Sequence, residues 1–529
     1  MNYADLFRAT LPETVLEIAA LLVLVVDLGF LRRAALQTRV AVASLLGIAG
    51  CIVAIWGVYA AGNAGFMVGD ELLLSAGSIA GVAQVGILVL TAITLLLLVG
   101  EEFTNHVGEY VAVVLMAAAG GLIISAAQDL LVIFIGLELL SLGLYILTAF
   151  AKKSGKSAEA AMKYYLFGGM SAAFLLFGFS YLYGLSGSTY LPRVVLGTYF
   201  ASARGATPLL VLALVMVAVG LGFKVAAVPF HLWAPDAYEG APAPAAAFIA
   251  SVSKVASFAL LISISNTALK YFQILMQESH VRGYVYARVG ISSAAATQPV
   301  GINLFAGWSL ILIVLAAASM IVGNLAALAQ TSVRRLLAYS AIAHAGYILL
   351  GLAFFGWTNL SAQAILYYIL TYGLTTIGAF GVVGVVERAT GSDKLDAFLG
   401  LHKRNPLLAA VLLVLFLSLA GIPPLVGFWA KFNLFAAVLT LGSGPFPVPG
   451  SLSSLPHEAL TLVALAIAFS AVSLYYYLQV LKRAYVMPAV DESPIKTNPV
   501  TTLVLVAIAA AVVIMGCFPA LLQNWIASF

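Results

Sequence analysis

Long apolar runs, each near twenty residues and separated by short polar stretches, recur along the whole 529-residue chain. A helix needs about 20 mostly apolar residues to cross the hydrocarbon layer of a bilayer. The pattern predicts fourteen such spans, near 11–30, 40–60, 79–99, 109–127, 129–150, 160–185, 208–236, 243–265, 303–325, 334–355, 360–386, 406–439, 460–482 and 500–519. The expected fold class is all-α, a polytopic membrane protein. Only loops remain between the spans. The longest, 266–302, contains Lys270, Glu278, His280, Arg282 and Arg288. The first span does not read as a cleavable leader, because it lacks a basic start and carries Glu13, Glu17 and Asp27. Glu13 and Asp27 lie near its ends and are expected at the membrane interface.

Composition removes the soluble alternatives. Hydrophobic residues make up 63% of the chain and charged residues 9%, with a mean hydropathy of +1.08. A soluble domain has roughly 45–50% apolar and about 25% charged residues. The net charge of +4 is small, and no basic block suggests nucleic acid. The placement of the basic residues is more informative. Loops that follow odd-numbered spans hold fifteen: Arg32, Arg33, Arg39, Lys152, Lys153, Lys156, Arg334, Arg335, Arg388, Lys394, Lys403, Arg404, Lys482, Arg483 and Lys496. Loops that follow even-numbered spans hold five: Arg193, Arg204, Lys270, Arg282 and Arg288. Basic residues concentrate in loops on the cytoplasmic side, so both termini are expected on the opposite side.

Two spans are interrupted alike. The seventh contains Lys224-Val225-Ala226-Ala227-Val228-Pro229-Phe230-His231-Leu232-Trp233-Ala234-Pro235, and the twelfth contains Gly421-Ile422-Pro423-Pro424-Leu425-Val426-Gly427-Phe428-Trp429-Ala430-Lys431. Each has proline in mid-span, a lysine near it and Trp-Ala a few residues later. Proline removes an amide donor, and the freed carbonyls need partners where there is no water. Five helices separate the two, so they cross in opposite directions. Two readings stand: common Pro-Gly kinks matched by chance, or inverted repeats of five helices (spans 4–8 and 9–13), an architecture used by transporters.

Charge inside the spans points to transport. A charged side chain at mid-bilayer costs about 2.5–3.5 kcal/mol on insertion scales. Glu138, Lys224, Lys254 and Lys431 have central positions with no route to the interface. Lys163 lies in the first turns of its span, where snorkelling is the alternative. His231 follows the first break. His344 is mid-span, where a hydrogen-bonded packing role is the alternative. None of these central positions is arginine. Lysine changes protonation readily when buried, whereas arginine does not. A Glu–Lys pair can therefore switch a proton, and histidine can relay one.

Other chemistry is poorly represented. His231, Asp236 and Glu239 do not form a recognised metal-ligand spacing, and the two acids read as interfacial. There is no Walker loop, dinucleotide fingerprint or Cys-x-x-Cys. Cys51 and Cys517 sit in separate apolar runs and read as packing residues.

The runs Gly136-Leu137-Glu138-Leu139-Leu140-Ser141, Lys163-Tyr164-Tyr165-Leu166-Phe167-Gly168, Lys224 to Asp236 and Arg334 to His344 resemble the antiporter-like subunits of respiratory complex I. Mrp-type sodium/proton antiporters and membrane-bound hydrogenases share that fold. The resemblance covers nearly the whole chain. Lys431 in the twelfth span, Gly-Ile-Pro-Pro at 421–424 and the end at Phe529 without a lateral helix are closest to the N-type branch. The loop at 266–302 is longer than that family suggests.

The resemblance implies an order of parts: helices 1–3 in 1–108, a first repeat in 109–265, an extra-cytoplasmic loop in 266–302, a second repeat in 303–482 and the last helix in 483–529. It also implies roles. Glu138 would pair with Lys224, with Lys163 modulating the pair. His231 and Lys254 would carry the proton across the middle, Lys431 would be the terminal site of the second half-channel, and His344 would lie on a lateral hydrophilic path towards neighbouring subunits. NAD, FMN, iron–sulfur clusters and quinone would belong to partner subunits, with no cofactor or metal in this chain. The partners would be other membrane subunits of complex I, in a bacterial inner membrane. The alternative is an Mrp-type monovalent cation/proton antiporter subunit, although Glu138 is the only convincing central carboxylate for a hard cation.

Overall fold

A computed structural model describes residues 3–62, 65–68, 71–75, 77–101, 103–277, 300–354, 359–440, 455–489 and 491–529. The protein is an all-α polytopic membrane protein. Among the described residues twelve helices are long and apolar enough to cross a membrane. In chain order the helices are α1 (Tyr3–Ala9), α2 (Leu11–Val25), α3 (Leu36–Ala61), α4 (Ser78–Leu98), α5 (Val107–Ala126), α6 (Leu130–Thr148), α7 (Gly155–Ser186), α8 (Leu191–Ala201), α9 (Thr207–Val225), α10 (Trp233–Gly240) and α11 (Ala243–Gln277). They continue as α12 (Val300–Leu328), α13 (Val333–Ala353), α14 (Asn359–Thr390), α15 (Leu401–Arg404), α16 (Pro406–Ala420), α17 (Val426–Thr440), α18 (Leu455–Tyr485), α19 (Pro499–Cys517) and α20 (Ala520–Ala527). A small antiparallel hairpin, β1 (Gly65–Val68) and β2 (Glu71–Ser75), joins α3 to α4 and has a bulge between Phe66 and Met67.

Several expected boundaries move. The seventh and twelfth spans are each two helices, α9 with α10 and α16 with α17. The first span is α2 followed by a π turn over Val26–Phe30. The eighth continues to Gln277 because nothing between 266 and 277 breaks a helix: there is neither glycine nor proline. The expected loop at 266–302 is thus helical at 266–277 and again at 300–302. Glu278, His280, Arg282 and Arg288 lie outside the described residues.

Three helices are enclosed on nearly every side. In α11 and α13, 94% of the apolar window is buried, and in α14 89%, against 28% in α18. Lys254 and His344 are carried on this enclosed set. Helix starts recur in a matched way around it. Asp129 caps α6 by accepting from the amides of Leu131 and Val132, and Ser332 caps α13 by accepting from Arg335. Beside the first cap, the Leu130 amide donates to Thr189 and the Leu191 amide to Gln128. Beside the second, the Val333 amide donates to Asp393 and the Leu395 amide to Thr331. The side chains match with roles reversed: Thr189 donates to Asp129, and Ser332 donates to Asp393.

Candidate functional site: buried lysines at two helix breaks

Ending a helix inside a membrane exposes its last carbonyls, which have no intrahelical partners and no water to replace them. At the first break the carbonyls of Gly222, Phe223 and Val225 have partners. Ala226 turns the chain in the left-handed region, with φ +58°. The Ala226 amide then donates to Phe223 and the Ala227 amide to Gly222. Trp233 Nε1 donates to the Phe223 carbonyl at 2.9 Å, while its ring stacks on Tyr164 with centroids 4.1 Å apart. Lys254 Nζ, from α11, reaches the Val225 carbonyl at 3.4 Å and the Ala341 carbonyl of α13 at 2.5 Å.

The second break has the same outline. Gly421 takes the left-handed turn, with φ +88°. The amides of Gly421 and Ile422 donate to Leu417. Lys431 Nζ donates to the carbonyls of Leu419 at 3.2 Å and Ala420 at 2.9 Å, and to Ser470 Oγ at 2.8 Å. An ammonium at a helix C-terminus is also favoured by the helix dipole. Trp429 Nε1 donates to Gly516 on α19.

Lys224, at the end of α9, is buried and lies 3.6 Å from the Glu138 carboxylate of α6. Its hydrogen bond goes to Ser141 Oγ at 2.5 Å, one turn along α6 from Glu138. The ion pair is thus held just beyond hydrogen-bond length while a neutral hydroxyl takes the donor.

His344 stands between the two breaks, one turn after Ala341 on α13. Its Nδ1 is 2.8 Å from the Tyr368 hydroxyl, and its ring is 4.8 Å from that of Tyr372. Lys254 Nζ lies 5.9 Å from the Tyr372 ring, and Lys431 Nζ lies 5.5 Å from the Tyr347 ring. His231 is buried beside Tyr339, with Nδ1 unpartnered among the described residues.

Lys163 is bonded away from the pair. Its ammonium binds Asp236 at 2.9 Å and Glu159 at 2.7 Å, with no bond to Glu138 among the described residues. Asp236 and Glu239, expected as interfacial, join the ends of several helices. Arg335 binds both, at 2.6 and 3.0 Å, and Lys156 binds Glu239 at 3.6 Å. Next to them Arg334 is buried, pairs with Glu387 at 2.6 Å and donates to the carbonyls of Glu239 and Ala241. The available sequence signal was the acidic i, i+3 pair after Pro235, facing an Arg-Arg pair only in the folded protein.

Glu13 and Asp27, expected at the interface, are both enclosed by protein. Asp27 holds Arg39 through two 2.7 Å bonds and accepts from the Gly108 amide. Glu13 accepts from Gln84 at 3.2 Å. Helix packing of α2 against α3 and α5 covers residues that linear position puts near a span end. Of the two cysteines, Cys51 is buried and Cys517 exposed. Among the described residues no group of three or more His, Cys, Asp or Glu side chains could hold a metal ion.

Comparison with known proteins agrees with this geometry. The family described as NADH:quinone oxidoreductase/Mrp antiporter, TM matches residues 127–281 and 284–455. NADH-quinone oxidoreductase subunit N 2 of Acidobacterium capsulatum is 46% identical over 536 residues, covering 99% of each chain. Subunit N of Nitrosomonas europaea is 33% identical, covering 91% of this chain and 89% of its own. A chain of respiratory complex I from Thermus thermophilus with bound aureothin has a TM-score of 0.71 at 30% identity, covering 97% of this chain and 98% of its own. A chain of the Mrp complex from Dietzia sp. DQ12-45-1b has a TM-score of 0.73 at 19% identity, covering 98% of this chain and 96% of its own, a likeness of fold alone.

Proposed function

Because the chain belongs to the NADH:quinone oxidoreductase/Mrp antiporter membrane family, we propose that it is the N-type proton-translocating membrane subunit of an NADH:quinone oxidoreductase. The observation that carries this reading is the series of buried titratable groups, Lys224 with Glu138, then Lys254, His344 and Lys431, two of whose lysines bind carbonyls freed by a helix break. In this reading Glu138 and Lys224 load a proton and Lys254 passes it across α11 to His344. Lys431 releases it. His231 is a side branch at the first break. Lys163 acts on the pair indirectly, through Asp236 at the end of α10.

Fourteen spans, with the seventh and twelfth discontinuous, and two inverted five-helix repeats complete the reading. The reciprocal bonding at Asp129–Thr189 and Ser332–Asp393 supports the repeats, as do the two left-handed turns at Ala226 and Gly421. The basic loops support termini on the non-cytoplasmic side of a bacterial inner membrane. NAD, FMN, iron–sulfur clusters and quinone would be held by partner chains, the nearest being neighbouring antiporter-like and small membrane subunits. The names of the full-length relatives favour this over a free-standing cation/proton antiporter.

The test is proton pumping by proteoliposomes holding the intact complex, with quinone reduction read in parallel. Lys224→Ala is expected to lower the proton-to-electron ratio while the complex stays assembled. A full ratio in the assembled variant would remove Lys224 from the path.

A further inference from the structure

Lys431 carries its charge without an acidic partner in its bonds. Its Nζ donates to the carbonyls of Leu419 and Ala420 and to Ser470 Oγ, so the three N–H groups of the ammonium meet three uncharged acceptors. Lys224, by contrast, has the Glu138 carboxylate at 3.6 Å. Lys431 Nζ also sits over the ring of Tyr347, 5.5 Å from its centroid. A cation within about 6 Å of a ring centroid is attracted by the negative face of the π-system. A neutral amine is not drawn in this way. The first break repeats the arrangement. Lys254 binds the carbonyls of Val225 and Ala341, and its Nζ lies 5.9 Å from the centroid of the Tyr372 ring.

The orientation of that ring matters, because its face is negative and its edge positive. Tyr347 is fully buried on α13. Its hydroxyl accepts from Asn324 Nδ2 of α12 at 3.2 Å. The same Nδ2 donates to the Met320 carbonyl at 2.7 Å, and Asn324 Oδ1 accepts from the Tyr476 hydroxyl of α18 at 3.2 Å. Asn324 is itself fully buried, and its amide is bonded at both ends, so it cannot turn without losing partners. Phe435, one turn beyond Lys431 on α17, meets the Tyr347 ring edge-on with centroids 6.1 Å apart. The helix α18 thus acts on Lys431 twice: directly through Ser470, and at a distance through Tyr476, Asn324 and Tyr347. None of these last three has a place in the proton path proposed for this chain.

We propose that Tyr347 is a positioning residue for Lys431, its ring face holding the loaded ammonium at the second break, and that Asn324 is the lock that keeps this face turned to the lysine. The inference rests on the proposed proton path, in which Lys431 carries the proton last. In this role the ring forms no covalent bond and takes no proton. It favours the state in which Lys431 is charged, because the attraction acts on the charge. A ring free to turn would present its positive edge as well as its face. Replacing the ring by an aliphatic side chain is expected to lower the loading of Lys431 on the order of tenfold, the size of such a contact once it is desolvated.

Proteoliposomes of the intact complex carrying Tyr347→Phe, Asn324→Leu, both together, Tyr347→Leu or Lys431→Ala are compared with wild type. A further series places phenylalanines with one, two and three ring fluorines at position 347 by nonsense suppression. Fluorine drains charge from the ring face and changes its shape little. The readouts are assembly and the proton-to-electron ratio. Tyr347→Phe keeps the face and loses the lock, so it and Asn324→Leu are expected to lower the ratio alike, and the double variant no further. The ratio should then fall stepwise with each fluorine toward that of Lys431→Ala, with Tyr347→Leu at the low end. A ring that only fills space would not follow the fluorine count. A ratio flat across the fluorine series, in a complex where Lys431→Ala lowers it, overturns the role of the ring. A double variant worse than either single one overturns the lock. Should the phenylalanine series fail to assemble, a wild-type ratio in Asn324→Leu overturns the proposal. A full ratio in Lys431→Ala instead overturns the path itself.

Discussion

The two helix breaks solve one physical problem with different parts. At the first, the carbonyl left at Val225 is met by Lys254, which arrives from α11 and also holds α13. At the second, the equivalent carbonyl at Ala420 is met by Lys431, from the second half of the same span. The first turn is made by alanine and the second by glycine. The first tryptophan ties across its own break, while the second reaches the last long helix. The first break therefore depends on its neighbours, because its lysine bridges the two halves of the chain. The second is more self-contained, because its lysine comes from the same span. Either lysine holds these carbonyls more strongly as an ammonium than as a neutral amine, because charge-assisted hydrogen bonds are the stronger kind.

The largest test of that contrast is removal of each lysine. Lys254→Ala and Lys431→Ala should each cut proton delivery through this chain by about 100-fold or more, the lower range for loss of a proton-transferring group, measured as pumping by the assembled complex. If Lys254→Ala pumps normally, its bond to Val225 is only packing and the comparison collapses. Next in size is Gly427→Ala. A Cβ there would lie 1.9 Å from the Ser418 carbonyl, and such overpacking costs about 1–3 kcal/mol. Thermal unfolding of the complex should register it, and an unchanged midpoint would show that the second break yields easily.

Smaller effects separate the two turns. Gly421→Ala should cost about 1–2 kcal/mol for a side chain in the left-handed region, with the added crowding of a Cβ 3.0 Å from Lys431 Cδ. Ala226→Gly relieves the same strain at the first break and should be neutral or slightly stabilising in the same melt. The smallest effects come from the hydroxyl partners. Ser141→Ala and Ser470→Ala each remove one hydrogen bond to a buried lysine, at 2.5 and 2.8 Å. Such a bond to a charged group contributes about 1.5–3 kcal/mol before compensation by other partners. Lys431 keeps two carbonyls after Ser470→Ala, whereas Lys224 keeps only the 3.6 Å ion pair after Ser141→Ala. Stability and pumping should therefore suffer more from Ser141→Ala, and equal losses would contradict the self-contained second break.

Much of the candidate site is visible in the linear chain, for a definite reason. A charge in a twenty-residue apolar run stands out against a strong background, so Glu138, Lys224, Lys254 and Lys431 are found without a fold. Proline in such a run marks a break just as plainly. The partners are hidden because they are ordinary residues. Nothing about Ser141, Tyr368 or Ser470 distinguishes them from other small or aromatic residues until helices from distant segments bring them to a lysine or a histidine. Lys163 illustrates the same point: its position by the start of α7 says only that it is near a span end, and its partner Asp236 is brought to it by α10.

By itself the sequence determined that this is a multi-spanning membrane protein, where its apolar helices run, which two spans break and which titratable groups are committed to the interior. These follow from local rules: the thickness of a bilayer, the missing amide of proline and the cost of burying charge. Tertiary structure decided which carbonyl each lysine binds, that Glu13 and Asp27 are covered, that Asp236 joins Lys163 to Arg335, and that Tyr368 holds His344. Those contacts join helices far apart in the chain. They depend on how whole helix faces pack, and the spacing of residues along one helix does not contain that.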